Sequence, residues 1–116
     1  MLPRDEQLLE HILDYCEDIL GYLRGSGNSR DAFLSDTMIQ HSVSFCIPQI
    51  GELAGRLSDS LRSSTRGDIN WTAIKGMRNI VVHDYGNVDL EEVWFAATQD
   101  VPKLKAFCEA HLEDPA

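Results

Sequence analysis

Residues 5–23 read DEQLLEHILDYCEDILGYL, and their spacing decides the fold. Apolar side chains come in adjacent pairs: Leu8/Leu9, Ile12/Leu13, Tyr15/Cys16, Ile19/Leu20 and Tyr22/Leu23. Pairs at steps of three to four residues mark an α-helix. A stripe this wide exceeds what one helical neighbour needs. The helix is therefore expected to meet two neighbours, one of them available to a second subunit. Gly25-Ser26-Gly27-Asn28-Ser29 stops it, and a short helical piece over Arg30 to Leu34 follows.

The same period recurs downstream. Ser35 or Asp36 caps a second helix, whose stripe is Ile39, Val43, Cys46, Ile50, Leu53, Leu57 and Leu61. Pro48 lies off that stripe and is expected to kink the helix, because it removes a backbone donor. Ser63 to Asp68 form a turn. A third helix runs from about Asn70 to His83 and is broken by Gly86-Asn87. Asp89 caps a fourth, with Glu91 and Glu92 in its first turn, where negative charge is favoured. Its stripe runs from Leu90 and Val93 to Leu112, and Pro102 is expected to bend it or split it at Asp100. No strand-like alternation is present. The expectation is an all-α fold, an antiparallel up-and-down helical bundle of four main helices, in one domain over residues 1–116.

Composition excludes several classes. At 116 residues and 43% hydrophobic content the chain can bury a real core. The longest stretch free of Asp, Glu, Lys and Arg, Thr37 to Gly51, still holds Gln40, His41, Pro48 and Gln49, so no membrane span is expected. Arg4, Asp5, Glu6 and Glu10 argue against a signal peptide, and the expected location is cytoplasmic. Cys16, Cys46 and Cys108 lie far apart on apolar stripes, as buried free thiols. His11, His41 and His111 have no ligand spacing. No metal site and no cofactor is expected. Net charge is −9, which opposes non-specific nucleic-acid binding. The charge is uneven, however. Residues 56–78 carry +3 from Arg56, Arg62, Arg66, Lys75 and Arg78 against Asp59 and Asp68, which leaves −12 elsewhere. Such a zone can accept RNA locally; equally, Arg62 and Arg66 can simply favour a helix C-terminus.

The third helix carries the chemistry. Residues 71–85 read WTAIKGMRNIVVHDY. At about 100° per residue, Trp71, Ile74, Met77, Ile80, Val81 and Val82 share one arc, and Arg78 falls inside it. Asn79 and His83, four apart, stack along its edge, and Tyr85 returns to nearly the direction of Arg78. An arginine among core residues is costly unless something demands it. Two readings stand: a charge held for a ligand, or a guanidinium that snorkels outward while its stem packs. Gly76 fits close approach of a backbone or ligand. Symmetric pairing of helices two and three about Gly67 puts His83 opposite about residue 51 and Arg78 opposite about residue 56. Glu52 then compensates the inward arginine or stays solvated. A buried pair of this kind would cost roughly 3–5 kcal/mol to break.

The string WTAIKGMRNIVVHDYGNVDLEEVW resembles the HepT-like group of HEPN proteins. Their signature is Arg, four residues, His, any residue, Tyr, matched here by Arg78, His83 and Tyr85. Asn79, the upstream Ile50-Gly51-Glu52, Trp71 and Gly76-Met77 also fit. The resemblance implies a helical homodimer with two Arg-His motifs facing across a shared cleft. It implies a metal-independent endoribonuclease toxin of a type II/VII-like toxin–antitoxin module. It further implies an MNT-type nucleotidyltransferase antitoxin that transfers AMP to Tyr85. Within that picture His83 is the general acid/base, Arg78 stabilises the phosphorane, and Asn79, Glu52 and Tyr85 support or bind substrate, an RNA such as tRNA. Asp84 either raises the His83 pKa or repels RNA. The alternative function is a non-catalytic nucleotide-binding or docking subunit for a minimal nucleotidyltransferase, with Arg78 holding a phosphate. A third is a purely structural helical dimer.

Overall fold

The computed structural model describes residues 1–80 and 89–112, and every element among them is helical. Helix α1 (Pro3–Gly25) opens on a proline, which suits a first helical position because its missing donor is not needed there. It closes in a left-handed turn: Gly27 has φ +72° and Asn28 +56°. Their amides return to the carbonyls of Arg24 (2.9 Å) and Leu23 (2.8 Å). Leu9, Ile12, Cys16 and Ile19 are fully buried. These buried positions pack on later helices of the same chain, whereas Leu13, Tyr15 and Leu20 are half-buried and Tyr22 is exposed.

Helix α2 (Arg30–Ser35) is capped by Ser29, whose hydroxyl accepts from the Ala32 amide. It buries Phe33 against Trp94, 5.4 Å between ring centres. An ion pair between Arg30 and Glu91 ties it to α6 and holds the Glu91 carboxyl below its usual range. Helix α3 (Thr37–Arg56) begins at Asp36, whose side chain accepts from the Met38 and Ile39 amides, and runs through Pro48 without a break.

The expected second helix, reaching Leu61, is divided. Leu57 and Ser58 are both extended, with ψ 150°. A separate α4 (Asp59–Thr65) then starts with the Ser58 hydroxyl accepting from the Leu61 amide. The cause is long-range. Asp5 on α1, 2% exposed, accepts from the Ser58 amide (2.8 Å) and from its hydroxyl (2.6 Å). Those bonds satisfy the corner's polar groups and fix where α3 ends.

Asn70 caps α5 (Trp71–Gly76) by accepting from the Ala73 amide. The Trp71 indole donates to the Thr65 hydroxyl (2.9 Å), which donates to the Leu61 carbonyl (2.7 Å). The same indole lies edge-on against Phe107, 5.4 Å between centres. A 3-10 turn (Met77–Asn79) follows α5. Asp89 caps α6 (Leu90–Phe95) through the Glu91 and Glu92 amides. A π turn (Ala96–Asp100) joins it to α7 (Val101–Leu112). Pro102 has no N–H for the Thr98 carbonyl, and the wider π turn ending at Asp100 takes up that irregularity.

All three cysteines are buried and free. Burial pushes Cys46 up to about 11 and Cys108 up to about 12, and raises Cys16 as well. They remain thiols at neutral pH and are poor nucleophiles. Among the described residues no helix is long and apolar enough to cross a membrane. Removing the corner carboxylate should test the role given to Asp5. Asp5→Ala leaves the Ser58 amide without a partner, and urea unfolding should show a loss of about 1–3 kcal/mol.

Candidate active site

The site is built on the contact between α3 and the 3-10 turn. In the segment 71–80 the buried positions are Trp71, Ile74 and Met77, with Ile80 half-buried. Within α5 that step is the ordinary i, i+3 neighbour spacing of an α-helix, and the 3-10 turn Met77–Asn79, in which i and i+3 eclipse, carries it on to Ile80. Tightening after Gly76 keeps the apolar stripe on the core. Arg78 packs its Cα and Cβ toward α3 and carries its guanidinium into solvent. Arg78 is 62% exposed, so of the two readings the fold makes the one in which the guanidinium reaches solvent while the stem packs.

Gly51 makes the close approach possible. A Cβ at that position would collide with the Arg78 amide nitrogen and lie 3.0 Å from the Arg78 Cα. A close backbone approach is thus found at Gly51, while among the described residues a Cβ at Gly76 would meet nothing within 4 Å. Arg78 faces Gly51 rather than residue 56, because α4 and the corner at Ser58 intervene between the two helices.

One residue beyond Gly51, Glu52 reaches both flanking arginines. Its Oε2 is 3.6 Å from Arg78 and its Oε1 is 3.5 Å from Arg56. Glu52 is itself 45% exposed, so both are solvated pairs. The pairing is there but the burial is not, and the cost of breaking a buried pair does not apply; exposed pairs contribute about 0–1 kcal/mol. Gly51, Glu52, Gly55, Arg56, Lys75, Gly76, Arg78 and Asn79 line a cleft of about 460 Å³. Asn79 is exposed at its edge. Arg56 and Lys75 entered the sequence reading only as charge; their place in this cleft depends on tertiary packing.

His83 and Tyr85 lie outside the described residues, as do Val81, Val82, Asp84 and Gly86-Asn87. The structure thus brings together Glu52, Arg78 and Asn79 of the expected site. His11 and His41 are exposed, and His111 is half-buried, stacked on Phe107 at 4.0 Å. Among the described residues no group of three His, Cys, Asp or Glu side chains is placed to hold a metal. Chemically the cleft offers guanidinium and amide donors beside one exposed carboxylate, a set suited to a phosphodiester.

A family model described as "Ribonuclease HepT-like" matches residues 12–111. The chain is 28% identical over 115 residues to "Putative RNase MJ1216" of Methanocaldococcus jannaschii, covering 98% of this chain and 93% of the relative. It is 28% identical over 97 residues to "Putative RNase TTE0752" of Caldanaerobacter subterraneus subsp. tengcongensis, covering 84% of each. To "Probable ribonuclease HepT" of Thermococcus cleftensis it is 25% identical over 96 residues, covering 79% of this chain and 87% of that one. No solved structure matches significantly.

Two substitutions separate the backbone contact from the ion pair. Gly51→Ala forces the 3-10 turn away from α3 and should cost about 1–3 kcal/mol, the range for overpacking. Glu52→Gln should change stability by less than about 1 kcal/mol. Thermal melts of the two variants beside the parent check both.

Proposed function

The chain belongs to the HepT-like family, and on that footing we propose that it is a metal-independent endoribonuclease toxin acting in the cytoplasm. The observation that carries the reading is Arg78: 62% exposed, over a cleft it shares with Asn79, and opposed among the described residues by a single solvated carboxylate. A guanidinium in that state keeps its donors available for phosphate oxygens.

In the proposed reaction His83 removes the proton of a ribose 2′-hydroxyl. That oxygen bonds to the adjacent phosphorus, and the bond to the 5′-oxygen breaks. The leaving oxygen takes a proton from a second acid, and the products are a 2′,3′-cyclic phosphate and a 5′-hydroxyl. Arg78 stabilises the charge gathered on the phosphorane, Asn79 orients the phosphate, and Glu52 steadies Arg78. One chain has one such histidine, so base and acid are supplied by the two protomers of a homodimer. Each protomer is the four-helix HEPN-type bundle. Support for the dimer comes from α3, where Met38 (72% exposed) and Phe45 (62%) stand seven residues apart. Glu52 is seven residues further along the same helix, so an interface over Met38 and Phe45 continues toward the cleft.

The partner in this reading is an MNT-type nucleotidyltransferase that transfers AMP from ATP to the Tyr85 hydroxyl, releasing pyrophosphate. The added phosphate brings bulk and negative charge to the motif and competes with RNA for the same cations.

The test is cleavage of bulk tRNA in EDTA, with product ends assayed for cyclic phosphate. Wild type should cut. Arg78→Ala should lose about 10²–10³ in rate and His83→Ala about 10²–10⁴. No cleavage by folded, AMP-free wild type would shift the assignment to a non-catalytic docking subunit. Separately, partner and ATP should add one AMP mass to wild type and none to Tyr85→Phe; equal modification of both removes Tyr85 from the scheme.

A further inference from the structure

The basic zone at 56–78 is drawn together in space. Arg56, Lys75 and Arg78 line the cleft at Gly51, while Arg62, Arg66 and Lys75 line a second cleft of about 600 Å³ where α4 meets α5. Half of the ten Lys and Arg residues of a chain with net charge −9 are therefore on two clefts that share Lys75.

Their neighbours sort them. Arg62 is committed to the fold: it pairs with Asp59 at 2.7 Å and reaches the last α3 carbonyls, Ala54 at 3.5 Å and Gly55 at 3.4 Å. Arg56 is paired with Glu52. Arg66 and Lys75 are exposed, and among the described residues neither makes an ion pair or a side-chain hydrogen bond. Asp68 is the carboxylate on the lining of the second cleft, against those two cations and Arg62. The apolar residues of that lining, Ile69 and Trp71, are buried, so what it presents is Ser63, Asn70, Thr72 and charge. A protein interface would call for an exposed apolar centre; a nucleic-acid backbone calls for cations and polar groups.

We propose that the two clefts form one track for a single RNA strand, with Arg66 and Lys75 holding phosphates outside the scissile one at Arg78. The proposal rests on the ribonuclease reading and adds the requirement for a strand long enough to span both clefts.

The experiment is equilibrium binding of a 2′-O-methyl RNA strand of about 20 nucleotides, which has no 2′-hydroxyl to react, at about 50 to 200 mM salt. Each single-strand phosphate contact contributes about 0.7 to the slope of log K against log salt. The double variant Arg66→Gln, Lys75→Gln should flatten that slope by about 1.4. Lys103→Gln, an exposed cation on α7, serves as the net-charge control and should leave it unchanged. Thr72→Glu, which adds a negative charge to the second cleft without removing a cation, should weaken binding and keeps the test valid should the double variant melt early. An unchanged slope in the double variant, or an equal loss in Lys103→Gln, overturns the track. If wild type still cuts tRNA in EDTA, that failure leaves the ribonuclease reading standing. A wild type that neither binds nor cuts overturns both. Unchanged RNA binding with weakened retention of the nucleotidyltransferase would reassign the cleft to a protein and overturn the track.

Discussion

The main chain of Arg78 rests against Gly51, and the geometry of the site follows from that contact. Only a residue without Cβ lets the 3-10 turn come so near α3. The approach sets the height of Arg78 over α3 and thereby selects Glu52, one residue on, as its neighbour. Gly51 is buried on a helix whose other face packs on α1. The position of the guanidinium is thus inherited from the best-packed part of the molecule, although the side chain itself is in solvent.

Exposure decides what the arginine is for. A buried Arg–Glu pair would be an internal staple, with its donors consumed and a heavy penalty for losing either partner. At 3.6 Å, with both groups about half exposed, the observed pair is weak and exchangeable. A phosphodiester arriving between Arg56, Lys75 and Arg78 carries the same unit charge as Glu52 but meets three cations rather than two. The acidic remainder of the chain works in the same direction: it discourages nucleic acid everywhere except where the cations are gathered.

Local signals were legible where the chemistry is local. Asp36 and Asp89 are helix caps in the sequence and in the structure, because a capping side chain bonds amides two or three residues away; Ser29 and Asn70, read only as a loop end and a helix start, prove to be caps for the same reason. Pro102 announced an irregularity ending at Asp100 for an equally local reason, its missing donor. Trp71, Ile74 and Met77 were recognisable as core. For Arg78 the sequence left two directions open, and only packing of its stem on Gly51 decides that the guanidinium lies in solvent.

The sequence by itself determined that the chain is helical, where most helices begin, that Glu52 lies within reach of Arg78, and which family the chain belongs to. The tertiary structure alone decided register. Symmetric pairing about Gly67 put Arg78 opposite about residue 56, whereas it lies on Gly51. The difference arises at Ser58, where Asp5, 53 residues away in the chain, ends α3 and lets α4 begin. No local propensity encodes that bond: it exists only once α1 has packed against α3, and that packing rather than helix periodicity sets which residues meet across the cleft.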